Sequence, residues 1–161
     1  MSSTTTDTAV RTSIVVETPI ERAFEVFTAE MQSWWPKEHH ILQGELEAMV
    51  VEAHPGGRIY DRATDGSECT WAHVLAYEPP RRFCFSWAVS LTWEVETDPA
   101  KRSEVDITFV AEAPDRTRVE VEHRELQRHG DGWEQMRDAV GGPDGWAVGL
   151  RRFANAAAAA S

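Results

Sequence analysis

The chain is poor in cysteine, in tyrosine and in positive charge, and no long apolar run interrupts it. Its two cysteines, Cys69 and Cys84, make neither a CxxC pair nor a disulfide framework. So few thiols point to a reducing compartment, and the cytoplasm is the expected location. Only 16 Lys and Arg stand against 27 Asp and Glu, a formal charge of −11. Phosphate binding needs clustered basic side chains, so this balance excludes nucleic acid as a partner and disfavours anionic membrane surfaces. No segment approaches the roughly 20 apolar residues that span a bilayer. The polar opening, Met1 to Thr8, lacks the apolar centre of a secretory signal. His39 and His40 are neighbours rather than an i, i+4 pair, and no Cys or His set completes a metal site. Nucleophile elbow, phosphate loop and dinucleotide fingerprint are all missing, so neither metal nor cofactor is expected.

What is present is a hydrophobic fraction of 42% in 161 residues, enough for one core. The expected division is a disordered tail over 1–9, a single domain over 10–155 and a frayed alanine-rich tail over 156–161. Tryptophan is abundant, seven against two tyrosines. Such large rings serve equally as core filler and as the lining of an apolar pocket.

Val10 to Glu17, rich in β-branched residues, reads as a strand. Thr18-Pro19-Ile20-Glu21 then carries a capping box and a proline suited to the first helical turn. Ile20, Ala23, Phe24 and Phe27 follow at i, i+3, i+4 and i+7 and predict one buried helical stripe. A second short helix is expected from Ala29 to Trp35, ended by Pro36. Strands are expected over Glu45 to Ala53, Arg58 to Arg62, Cys69 to Tyr77, Arg82 to Val89, Val105 to Ala111, and around Val119 to His123. Pro55-Gly56-Gly57, Asp65-Gly66, Pro79-Pro80 and Pro114-Asp115 punctuate them. A short helix over Asp131 to Val140 and a last one carrying Trp146, Leu150 and Phe153 close the chain. Hairpin spacing without crossover helices excludes a parallel α/β sheet. The fold class is α+β: about seven antiparallel strands, curved over a long C-terminal helix, with two short helices between the first and second strands.

The ordered words Thr18-Pro19-Ile20-Glu21-Arg22-Ala23-Phe24, Trp34-Trp35-Pro36, Pro55-Gly56-Gly57-Arg58-Ile59-Tyr60, Trp71-Ala72-His73-Val74, Glu78-Pro79-Pro80-Arg81-Arg82, Phe85-Ser86-Trp87, Thr117 to Arg124 and Gly145-Trp146 run through nearly the whole chain. Together they resemble the START-like, or SRPBCC, superfamily. Within it they are most similar to the Hsp90-ATPase-activator-like branch near the polyketide-cyclase-like proteins. The resemblance implies a helix-grip (START/Bet v 1-like) fold with a cavity between the last helix and the sheet, suited to a small hydrophobic or aromatic molecule. Members of the superfamily include lipid carriers, cyclases and co-chaperone domains, so fold alone does not assign an activity. Ala72 stands where glycine is usual, and His54-Pro55 is also a departure.

The candidate ligand-binding residues are Trp34, Trp35, Glu52, Arg58, Tyr60, Trp71, Phe85, Trp87, His123 and Trp146. Adjacent helical positions point about 100° apart, so only one of Trp34 and Trp35 can face a cavity squarely. Glu52 and Arg58 orient a ligand if they form a buried pair and do nothing of the kind as an exposed hairpin pair. His123 shares a strand face with Val119 and Val121, which makes it a core histidine or, in an enzyme, the best candidate for general acid or base. Three readings stand: a carrier of a small apolar molecule, a cyclase or aromatase that holds a reactive chain in a folded pose, and a module that binds a protein client. A homodimer is compatible with each. Six tryptophans, including Trp133, are expected around the cavity, with Trp93 left outside it.

Overall fold

The computed structural model describes residues 8–35, 41–42 and 44–160. Its seven strands are β1 (Val10–Val16), β2 (Leu46–Val51), β3 (Arg58–Ala63), β4 (Glu68–Glu78), β5 (Arg82–Trp87), β6 (Ser103–Ala113) and β7 (Arg116–Arg124). They form one antiparallel sheet in the order β1-β7-β6-β5-β4-β3-β2. The helices are α1 (Ile20–Phe27), α2 (Trp133–Gly141) and α3 (Trp146–Ala160). This is the expected α+β helix-grip architecture.

Period-two alternation decides which side chains meet α3. Ser103, Val105, Ile107 and Phe109 of β6 are buried, as are Thr117, Val119, Val121 and His123 of β7. Phe83, Phe85 and Trp87 continue the same face on β5. Trp146, Leu150, Phe153 and Ala157, one stripe of α3, supply the opposing surface. Phe24 and Phe27 of α1 wedge into the end of this layer, their rings 5.1 and 5.6 Å from Phe109. The outer face of the sheet is charged instead. Asp106 there binds Arg82 at 3.0 Å and Arg124 at 2.8 Å, so several of the scarce cations are held in ion pairs.

Three local expectations change. The capping box does not form: the buried Thr18 hydroxyl donates to the carbonyl of Ala157, 3.2 Å away, rather than to a backbone amide of α1. Thr18 in turn accepts from the Thr117 hydroxyl at 2.8 Å, which ties the start of α1 to β7 and to the last turn of α3. The second helix shrinks to a single 3-10 turn, Met31–Ser33. Thr28 ends α1 by donating its hydroxyl back to the Phe24 carbonyl at 2.8 Å, and the chain turns there instead of continuing helically. Finally, α3 runs through Ala160. Ala157 is fully buried against the core, while Ala158 and Ala159 beyond it are exposed. At the other end Ala9 is buried and the Thr8 carbonyl accepts from Leu126 at 3.1 Å. The remainder of the expected N-terminal tail lies outside the described residues, as do Pro36, His39 and His40. No described helix is long and apolar enough to cross a membrane.

Candidate functional site

Between the sheet, the segment after the 3-10 turn, and the α2–α3 connection lies a cavity of about 490 Å³. Trp35, Trp71, Trp87 and Trp146 wall it. They come from four separate segments: the turn after α1, β4, β5 and the first residue of α3. Trp35 stacks on Trp71 with centroids 5.0 Å apart at 29°. Trp146 meets Trp35 nearly edge-on, 5.9 Å away at 82°, and Trp71 meets Trp87 at 5.7 Å and 74°. The indoles are therefore in mutual contact and still face the void. Each is at most 8% exposed.

Of the other candidates, Trp34 points away, as the geometry of adjacent residues requires. Its indole donates to the Val26 carbonyl at 2.9 Å and packs on Phe27 and Phe153. Phe85 lies behind Trp71, which it meets edge-on, and does not reach the cavity. Glu52, Arg58 and Tyr60 sit on the opposite face of the β2–β3 hairpin. The Arg58 guanidinium lies 3.4 Å from Glu52, 3.3 Å from Glu68 and 4.3 Å from the Tyr60 ring centroid. The Glu52 and Arg58 side chains are 34% and 39% exposed, so this is a half-exposed hairpin pair, and neither residue lines the cavity. Accepting the Arg58 amide and guanidinium hydrogens holds the Glu52 carboxyl below its ordinary range.

The same alternation that turns Arg58 and Tyr60 outward turns Ile59, Asp61 and Ala63 inward. Asp61 is fully buried and lines the cavity. The Arg58 pair and the cavity residue Asp61 lie on opposite faces of this strand. A carboxylate flanked at i−2 and i+2 by Ile59 and Ala63 was the available signal.

Trp93 and Trp133 exchange their expected places. Trp93, at the tip of the loop after β5, lines the cavity. Trp133 lies outside it, with the Arg137 guanidinium 5.2 Å from its ring centroid. Asp138 and Asp144, from α2 and the connection that follows, are further lining residues that pattern did not indicate.

His123 is buried against this wall but is not part of it. Trp146 Nε1 donates to His123 Nδ1 at 3.2 Å. An indole N–H can only donate, so Nδ1 is the bare nitrogen of a neutral ring and Nε2 carries the hydrogen. Nε2–H therefore donates to Ser103 Oγ, 2.8 Å away, and Ser103 Oγ is also hydrogen-bonded to His129 Nε2 at 2.8 Å. Burial, aided by the nearby His129, holds the His123 imidazole down to about 3. Burial likewise lowers His129, against the opposing charge of Glu96. Both nitrogens of His123 are thus committed, and Trp146 stands between the ring and the cavity. The arrangement orients Trp146; it leaves His123 no lone pair or proton to offer a ligand. Ser103 and His129 were not legible as its partners.

The thiols fit no catalytic role: both are free, and burial pushes Cys84 up to about 11. Among the described residues no group of His, Cys, Asp and Glu could hold a metal ion.

Comparison with known proteins agrees with this architecture. No curated protein matches the chain. A structure described as an anthrahydroquino-gamma-pyrone synthase, Txn09, is 38% identical, with 91% of this chain and 95% of that chain covered and a TM-score of 0.65. CalC from Micromonospora echinospora, described as a self-sacrificing resistance protein, is 28% identical over 96% of this chain and 97% of that one, with a TM-score of 0.69. The Aha1 dimer from Colwellia psychrerythraea, at 15% identity over 92% and 95% of the two chains and a TM-score of 0.59, shares the fold. The family model for Activator of Hsp90 ATPase homolog 1-like protein matches residues 17–157, and the chain belongs to that family.

Proposed function

We propose that the protein binds a flat, largely apolar aromatic molecule in the indole-walled cavity. The observation that carries this reading is the wall itself: Trp35, Trp71, Trp87 and Trp146 surround about 490 Å³, a volume in the ordinary range for small-molecule sites. Indoles offer broad faces for stacking on fused rings. The charged lining residues among those described are Asp61, Asp138 and Asp144, so neutral or cationic ligands are favoured and carboxylated lipids are opposed. The 38% identity to a protein described as a synthase of a fused-ring pyrone supports a ligand of the polycyclic aromatic class. Calorimetric titration with 1,8-dihydroxyanthraquinone, a neutral three-ring probe, should give saturable binding at one site, weakened at least tenfold in Trp71→Ala. Heat that rises linearly without saturation, or equal affinity in the variant, would sink the reading.

The same identity favours a second reading, turnover of a polyketide-like substrate. The cavity carboxylate Asp61, rather than the enclosed His123, is then the group placed to move a proton.

A further inference from the structure

We propose that Trp93 is a clamp that lies on the outer end of the bound ring system and makes the site selective for three or more fused rings. This rests on the aromatic-ligand reading above.

Trp93 differs from the four wall indoles in two ways. It is 48% exposed, and among the described residues no other ring packs on it. It also holds a backbone φ of 61°, a left-handed conformation that suits glycine or asparagine and strains a bulky side chain. Such strain persists only where the surroundings over-determine it, and it clusters at ligand clamps. Here the surroundings are a tightly closed loop. Ser90 N donates to the Glu94 carbonyl at 2.7 Å, and Trp93 N donates to the Ser90 carbonyl at 2.9 Å. The Ser90 hydroxyl oxygen accepts from Glu94 N at 3.1 Å, and Val89 bridges to Val95 below the tip.

An indole in this position exposes apolar surface that nothing in the described fold covers, and contact with a ligand would cover it. The exposed lining residues are Trp93, Asp138, Pro143 and Asp144, which places the mouth between the loop tip and the α2–α3 connection. A molecule enclosed at its inner end by Trp35, Trp71, Trp87 and Trp146 meets Trp93 only if it is long enough to reach the mouth. On this reading one or two rings lie between the wall indoles and a third extends under Trp93.

The test is calorimetric titration of wild type, Trp93→Gly, Trp93→Asn and Trp93→Phe with 1,8-dihydroxyanthraquinone and with the two-ring probe 2-naphthol. Glycine and asparagine accept the left-handed backbone, so thermal midpoints at or above wild type are expected for both. Affinity for the three-ring probe should fall about tenfold in these two variants and less than threefold in Trp93→Phe, which keeps a ring. Affinity for 2-naphthol should change less than twofold throughout. Wild-type and Trp93→Gly proteins binding the three-ring probe equally would overturn the clamp and leave the cavity reading intact. Parallel losses for both probes would overturn the length selectivity. A wild-type protein that binds neither probe would overturn the clamp together with the reading beneath it.

Discussion

Acid should unfold this protein earlier than its carboxylates alone dictate, because His123 is buried neutral. Its ordinary value is 6.5 and burial holds it at about 3. A lowered histidine pKa means the unfolded chain binds the proton more readily, so stability is complete above 6.5 and is lost as pH falls from there toward 3. Each unit within that window is worth about 1.4 kcal/mol. At pH 5, one and a half units below the unfolded value, the loss is about 2 kcal/mol. No discount for solvent screening applies to a side chain with 0% exposure. His129 adds to the slope with the same sign, since burial lowers it as well. The carboxyls held below their ordinary values, such as Glu52 and Asp106, act chiefly below about pH 4.5. The interval from pH 7 to pH 5 therefore isolates the histidines. Urea unfolding at those two pH values, followed by tryptophan fluorescence, reads the effect. His123→Gln has no proton to bind in this range and should lose about 2 kcal/mol less than wild type on going to pH 5. Parallel losses in the two proteins would refute the assignment of His123 as a histidine kept neutral by burial. Should the variant fold poorly, the wild-type imidazole Cε1–H resonance decides alone. It should stay at its neutral position down to pH 5.

Two further outcomes probe how the elements around the site are held. Thr18→Val keeps the shape but removes the hydroxyl that donates to the Ala157 carbonyl in a buried place; it should cost about 1–3 kcal/mol in urea unfolding and speed amide exchange in the last turn of α3. Gly145→Ala places a Cβ 2.2 Å from the Val140 carbonyl oxygen and 2.5 Å from that of Ala139. Backbone must shift, so a loss of about 1–3 kcal/mol, seen as a fall of several degrees in thermal midpoint, is expected.

The sheet was legible because its signals are local. Val119, Val121 and His123, or Phe83, Phe85 and Trp87, reveal their shared face by spacing alone. The hydrogen-bonded chain through His123 is not local. Ser103 comes beside His123 only through the β6–β7 register, in which Val105 pairs with His123. His129 joins from a 3-10 turn, Leu126–His129, whose shape no periodicity encodes. Trp93 was hidden for a related reason. Its direction is set by a left-handed backbone at a loop tip, and an alternating pattern carries no information about such a residue. Asp61 is the opposite case: its face was readable, but the neighbouring Glu52–Arg58 pair offered a chemically attractive alternative that the structure turns outward.

Whether the tryptophans fill the core or line a pocket proves to be a false choice, for a geometric reason. Interiors approach crystal density when side chains interdigitate. Rigid indoles from four segments, crossing at angles from 29° to 82° with centroids 5.0 to 6.3 Å apart, touch at edges and corners and cannot close as a slab. The contacts that bury each ring on one side leave space on the other. Trp34 shows the contrast: embedded among Phe27 and Phe153 with its N–H satisfied by Val26, it borders no part of this cavity. Two of the four indoles are held from behind: His123 accepts from Trp146, and Phe85 backs Trp71. A wall fixed by contacts outside the cavity need not reorganise when a ligand enters, so the cost of ordering it is met during folding rather than on binding.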